Sequence, residues 1–205
     1  MDRLDEALAD LTEAIRLNPG VADFYDNRAL ARYLKGDYGA SVDDLDEAVK
    51  LEPQDAEYRV HRGSIYMELE RYEECIEEFG KVIELDPNDA EAYADRALAL
   101  YLSDREDEAL RDLDEAIRIN PEFDGAYWHR GNICIDQERY EDAISDHTAA
   151  IMISPHIAPL YAARGEASRC LGRYGDAIED FEMALILEPD NEEAHEALRE
   201  MLGKY

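Results

Sequence analysis

The sequence predicts an all-α fold, an α-solenoid of antiparallel helical hairpins with a 34-residue period, on three observations. Six of its seven prolines, Pro19, Pro53, Pro87, Pro121, Pro155 and Pro189, stand 34 residues apart along the whole chain. A fixed interval of that length marks units that bury their apolar faces only against their neighbours. Before each proline, apolar residues return at spacings of three and four, tracing one face of an amphipathic helix. After each proline a second helical pattern begins, with Tyr25, Arg59, Tyr93, Tyr127, Tyr161 and His195 six residues on.

The elements follow in order. Residues 1–19 match only the second helix of a hairpin, with Ala7, Leu11, Ala14, Ile15 and Leu17 on its apolar face. Residues 20–189 hold five hairpins. In the first, Tyr25 and Ala29 belong to the opening helix, Gly36, Asp37 and Tyr38 to the inner turn, and Ser41, Leu45, Ala48 and Val49 to the closing helix. The later hairpins repeat the scheme with Gly63 and Phe79, Ala97 and Leu113, Gly131 and His147, and Gly165 and Phe181. A tiny residue in each opening helix lets the two helices approach closely, facing the small residues twelve before the proline. Each proline ends the helix before it, because it has no N–H and clashes with the preceding turn. Residues 190–205 form a last amphipathic helix, with Ala194, Leu198, Met201 and Leu202 on one side and Glu193, Glu196 and Glu200 elsewhere.

This pattern resembles the tetratricopeptide repeat, over nearly the whole chain. The resemblance implies a right-handed superhelix whose opening helices line a concave groove that binds a peptide or partner helix, and a solvating C-terminal helix. The front end departs from it: the chain is either a fragment of a longer array or is capped there by a lone helix, and if a missing helix normally covers this end, the strip of Leu4, Leu8 and Leu11 would drive self-association.

Composition narrows the partners. Against 51 Asp plus Glu stand 21 Lys plus Arg, a formal net charge of −30, which disfavours nucleic acid and anionic membranes and favours a neutral, apolar or basic protein. At 46% hydrophobic residues the chain has the means to bury a core. Cys75, Cys134 and Cys170 are odd in number and lack CxxC pairs, so neither disulfides nor a cysteine metal site is signalled, and a reducing cytoplasm fits best. The N-terminal residues show no secretory signal, and no apolar run reaches the ~18 residues of a membrane span. With 4 Lys to 17 Arg, the composition also suits a salt-rich cytoplasm.

Two sets of residues are candidates for roles. Nine residues after the prolines stand Arg28, Arg62, Arg96, Arg130 and Arg164, and nine before them Asp44, Glu78, Asp112, Asp146 and Asp180, which read as a ladder of structural ion pairs. The face of the opening helices opposite their packing residues gives the partner-binding set: Asn27, Leu30 and Tyr33; His61 and Met67; Asp95, Leu98 and Tyr101; Trp128, His129 and Asn132; and Arg169, its only fixed positive charge. Aromatic anchors dominate binding hot spots, which singles out Tyr33, Tyr101 and Trp128. No lysine lies on this face, which argues against the carboxylate-clamping members of the family. Repetition at 68 residues, seen in His-Arg-Gly at 61–63 and 129–131, predicts a duplicated two-hairpin unit. His61 and His129 are two hairpins apart, too far to share a metal, and no cofactor is expected. Phosphate-binding loops, HExxH and GxSxG are absent, so catalysis by this chain is not expected. The reading is a noncatalytic interaction scaffold. Its alternatives are a substrate-recruiting module cut from a larger enzyme, or a self-assembling repeat protein.

Overall fold

A computed structural model describes residues 2–203; Met1, Lys204 and Tyr205, the ends of the first and last expected segments, lie outside the described residues. Among the described residues there are twelve α-helices and no strand. They are α1 (Asp2–Leu17), α2 (Ala22–Leu34), α3 (Tyr38–Leu51), α4 (Glu57–Glu68), α5 (Tyr72–Leu85), α6 (Ala90–Leu102), α7 (Glu106–Ile119), α8 (Asp124–Asp136), α9 (Tyr140–Ile153), α10 (Ala158–Cys170), α11 (Tyr174–Leu187) and α12 (Glu192–Leu202). The fold divides into two compact units, one ending at Arg105 and one beginning at Glu106. In the first, each of α1 to α5 packs on the helix that follows it; in the second, each of α7 to α11 does the same. None of these helices is long and apolar enough to cross a membrane.

The inner turn of every hairpin is a left-handed C-cap. Gly36 and Gly172 have φ of 79° and 73°, and at the same repeat position Glu70, Asp104 and Glu138 adopt φ of 55°, 60° and 58°. The amide of each bonds back to the carbonyl three residues earlier, and the next amide to the carbonyl five earlier, as in Gly36 N to Tyr33 O (2.8 Å) and Asp37 N to Arg32 O (2.9 Å). This closes the orphan carbonyls of the opening helix. At three outer turns the residue six after the proline holds the proline carbonyl: Tyr25 and Tyr161 donate their hydroxyls to Pro19 O and Pro155 O at 3.2 and 3.0 Å, and His195 Nε2 donates to Pro189 O at 2.9 Å.

Inside the hairpins, small residues face large ones. A Cβ added at Gly63 would lie 2.9 Å from the Phe79 ring, at Gly131 2.7 Å from the His147 ring, and at Gly165 3.2 Å from the Phe181 ring. The glycines thus chiefly make room for the bulky residue eight before the proline. The small row twelve before it is also close: Ser41 Oγ donates to Ala29 O at 2.6 Å, and Ala177 O would lie 3.3 Å from a Cβ at Gly165. Phe79, Phe181, Leu45, Leu113 and His147 are the largest fully buried side chains.

Candidate functional site

Four of the arginines nine after the prolines, Arg28, Arg62, Arg130 and Arg164, pair with an acid on the helix that follows. Arg28 grips Asp44 through Nε and Nη2 at 2.9 and 2.6 Å, and Arg130 and Arg164 hold Asp146 and Asp180 with the same two distances. Arg62 bridges Glu78 and Asp46 at 2.6 Å each. Such paired N–H···O contacts are the strong form of the ion pair. Asp44, Glu78, Asp112, Asp146 and Asp180 are all buried, so their charge requires a partner. Arg28, Arg96, Arg130 and Arg164 also lie 5.6–5.8 Å from the ring centroids of Tyr25, Tyr93, Tyr127 and Tyr161, three residues before each on the same helix.

In the first unit, the outward faces of α2 and α4 enclose a pocket of about 240 Å³. Its walls are Ala29, Leu30, Tyr33, Leu45 and Ile65, with Asp26, His61 and Ser64 supplying the polar atoms. Leu30 is 57% exposed, an apolar side chain held open to solvent. Tyr33 is half-buried against Tyr38, their rings 5.5 Å apart. His61 Nδ1 donates to Asp26 Oδ1 at 2.7 Å; that hydrogen bond outweighs desolvation and holds the imidazole above its ordinary pKa. Asn27 is exposed and turns back to the Asp23 carbonyl at 2.6 Å, while Met67 packs inward on the cluster of Cys75 and Phe79. On α6, Leu98 and Tyr101 are half-buried. Asp95 is solvent-accessible, yet crowding by the surrounding protein, with Glu91 and Asp89 nearby, pushes its pKa up to about 6.

In the second unit the corresponding positions differ. Trp128 is half-buried against Ala150, Ile151 and Leu160, its ring 5.1 Å from that of His129. Desolvation lowers the pKa of His129, opposite to the shift at His61. Burial alone accounts for the shift at His129, whereas at His61 the bond to Asp26 outweighs it. Asn132 is half-buried on the same helix. Arg169 is tied to Glu166 through Nε and Nη2 at 2.7 Å, so the fixed cation of this face is neutralised by its own helix. The structure therefore gathers Leu30, Tyr33 and His61 into one pocket and leaves Asn27 and Met67 outside its lining. Ala29, Leu45 and Ile65 complete that lining; their apolar rows gave no sign that they reach a cavity. Among the described residues, no group of three or more His, Cys, Asp or Glu is arranged to hold a metal ion.

Comparisons with known proteins agree with this architecture. A family profile described as tetratricopeptide repeat matches residues 1–56 and 107–155, just over half of the chain. Two further profiles of that description match residues 90–123 and 158–191, and one described as TPR repeat matches 63–104. No curated protein sequence matches the chain. Among solved structures, a crystal structure of MamA is 26% identical with a TM-score of 0.72, covering 82% of this chain and 92% of that one. YrrB, described as a TPR protein with an unusual peptide-binding site, is 21% identical with a TM-score of 0.70, covering 92% and 97%. Pseudomonas aeruginosa pilF shares the fold at 15% identity and a TM-score of 0.79, covering 97% and 90%. The all-α hairpins, their 34-residue period and a family match over more than half of the residues lead to one conclusion: the chain belongs to the tetratricopeptide-repeat family.

Proposed function

We propose that this chain is a noncatalytic interaction scaffold and that the outward face of its opening helices receives a peptide or helix of a partner protein. The observation that carries the reading is the pocket between α2 and α4: four large apolar walls, Leu30, Tyr33, Leu45 and Ile65, beside one carboxylate–imidazole pair. Such a site suits an aliphatic or aromatic anchor side chain followed by a lysine or arginine that meets Asp26. The net charge of −30 attracts a basic partner over long range and raises its rate of encounter. Tyr101, Leu98 and Asp95 on α6, and Trp128, His129, Asn132 and Arg169 in the second unit, are assigned to the same role. In this reading α2 to α11 form five hairpins within residues 20–189, with α1 and α12 flanking them. Family membership supports the assignment, and YrrB, described as having an unusual peptide-binding site, shares the fold.

Selection of random dodecapeptides displayed on phage, with the folded chain as bait, tests the proposal. Enriched peptides are expected to carry Lys or Arg next to a large apolar residue, and Leu30→Glu to weaken the best of them at least tenfold without lowering the melting temperature. No enrichment, or equal binding by the Leu30→Glu variant, refutes it.

A further inference from the structure

The closing helices of the second unit carry a surface that the pocket between α2 and α4 does not use. Six and three residues before the repeat prolines lie two positions about one turn apart. In α1, α3, α5 and α7 these two positions form a surface ion pair: Glu13–Arg16 at 2.7 Å, Glu47–Lys50 at 2.5 Å, Lys81–Glu84 at 3.0 Å and Glu115–Arg118 at 2.6 Å. In α9 and α11 they are Ala149 with Met152 and Met183 with Ile186. Met152, Met183 and Ile186 are 81%, 38% and 71% exposed, so hydrocarbon stands in water where the other repeats place charge. Their position on the rigid helices of two successive hairpins marks a contact surface.

These side chains extend an existing groove. A depression of about 230 Å³ is lined from α9 by Ile144 and Thr148, from α10 by Arg164 and Ser168, and from the α11 side by Arg173, Asp176, Glu179 and Asp180. Helical periodicity sets Met152 one turn beyond Thr148 and Met183 one turn beyond Glu179, so both walls become apolar towards the outer-turn end. The acids are in surplus: Asp180 is taken by Arg164 at 2.6 Å and Arg173 reaches Glu141 of α9 at 3.6 Å, whereas Asp176, Glu179 and Glu182 are exposed and form no ion pair among the described residues. Neither α9 nor α11 contains a lysine or an arginine.

We propose that the groove between α9 and α11 docks an amphipathic basic helix of a partner protein. Its apolar side chains rest on Met152, Met183 and Ile186, and its lysines or arginines face Asp176, Glu179 and Glu182. Charge complementarity selects this occupant. A second copy of the chain would bring like charge against like, and an anionic membrane would meet the same acids. Flexible thioethers suit a surface that adapts to a helix face.

The test uses a synthetic 14-residue helix with leucines on one face and lysines on the other, and a scrambled peptide of equal composition. Binding is measured by calorimetry in the Leu30→Glu background, which removes the first-unit pocket. The amphipathic peptide is expected to bind at least tenfold more tightly than the scrambled one. Rebuilding the ion pairs with Ala149→Glu, Met152→Arg, Met183→Glu and Ile186→Arg is expected to abolish that difference. Met152→Ser with Ile186→Ser removes hydrocarbon without adding charge and is expected to weaken binding at least fivefold, which keeps the test valid if the fourfold variant misfolds. Equal binding of the two peptides, unchanged affinity in folded variants, or no binding at all overturns the proposal. So does a dimer that the substitutions dissociate, which would assign the surface to a second copy.

Discussion

Three histidines show how one side chain takes three characters from its surroundings. His61, bonded to Asp26, is held above its ordinary pKa; His129, beside Trp128 and without such a carboxylate, is lowered; His147 is pushed down to about 4 by burial, with Arg164 adding to the effect. His147 is fully buried and neither ring nitrogen has a hydrogen-bond partner. It stands where the other hairpins place Leu45, Phe79, Leu113 and Phe181, and its ring lies against Gly131 as Phe79 lies against Gly63. A buried polar group without partners costs ~1–3 kcal/mol. His147→Phe is therefore expected to stabilise the second unit, and by an amount that depends on pH. The unfolded imidazole, near ~6.5, takes up a proton before the folded one does, so the wild type loses stability as pH falls from ~6.5 to about 4 and no further below that. Urea unfolding at several pH values should show the advantage of His147→Phe growing over this window by up to ~3 kcal/mol; a constant difference would mean that the imidazole is not desolvated. The sequence placed His147 in an apolar row and so at a core position, but its lack of partners depends on what the neighbouring helices present. The contact of His61 with Asp26 was equally out of reach, because the two lie 35 residues apart on different hairpins.

At the scale of the element, each hairpin is set by its two turns. The outer turn was legible from proline spacing, since proline stops a helix wherever it falls in the repeat. The inner turn was only partly legible: Gly36 and Gly172 announce a left-handed residue, whereas Glu70, Asp104 and Glu138 adopt the same conformation without the usual signature. Their repeat position, rather than their chemistry, carries the information, and the two bonds of the C-cap hold them there. A side chain with a Cβ is disfavoured at such a φ by ~1–2 kcal/mol, partly offset by the greater freedom of glycine in the unfolded chain. Glu138 is exposed, so Glu138→Gly loses no packing and is expected to stabilise the chain by about 0.5–1 kcal/mol, while Gly172→Ala should destabilise it by a similar amount. Paired chemical melts check both; destabilisation by Glu138→Gly would show that Glu138 makes a contact outweighing its backbone strain. The ladder belongs to this scale as well, because an arginine of each opening helix and an acid of the closing helix sit 16 residues apart, the offset of two antiparallel helices.

For the whole molecule, charge is the dominant global fact. A net −30 makes the folded chain repel itself, and screening relieves this as the Debye length falls from ~10 Å at 0.1 M to ~3 Å at 1 M salt. The melting temperature is expected to rise over that range, since the buried ladder pairs are little screened while the surplus surface acids are strongly screened; a falling or flat midpoint would show that self-repulsion does not limit stability. Periodicity by itself determined the family, the helical hairpins and the rows that hold arginine and acid. The reason is that these follow from spacing along one helix and from repetition of one unit, both of which are local. Only the tertiary structure decided that Leu30, Tyr33 and His61 share one pocket, that Arg169 is neutralised by Glu166, and that Met152, Met183 and Ile186 stand exposed on the closing helices. Those outcomes depend on which side chains meet across neighbouring helices and which are left in water, and hydrophobic burial and electrostatic pairing set them only after the helices have packed.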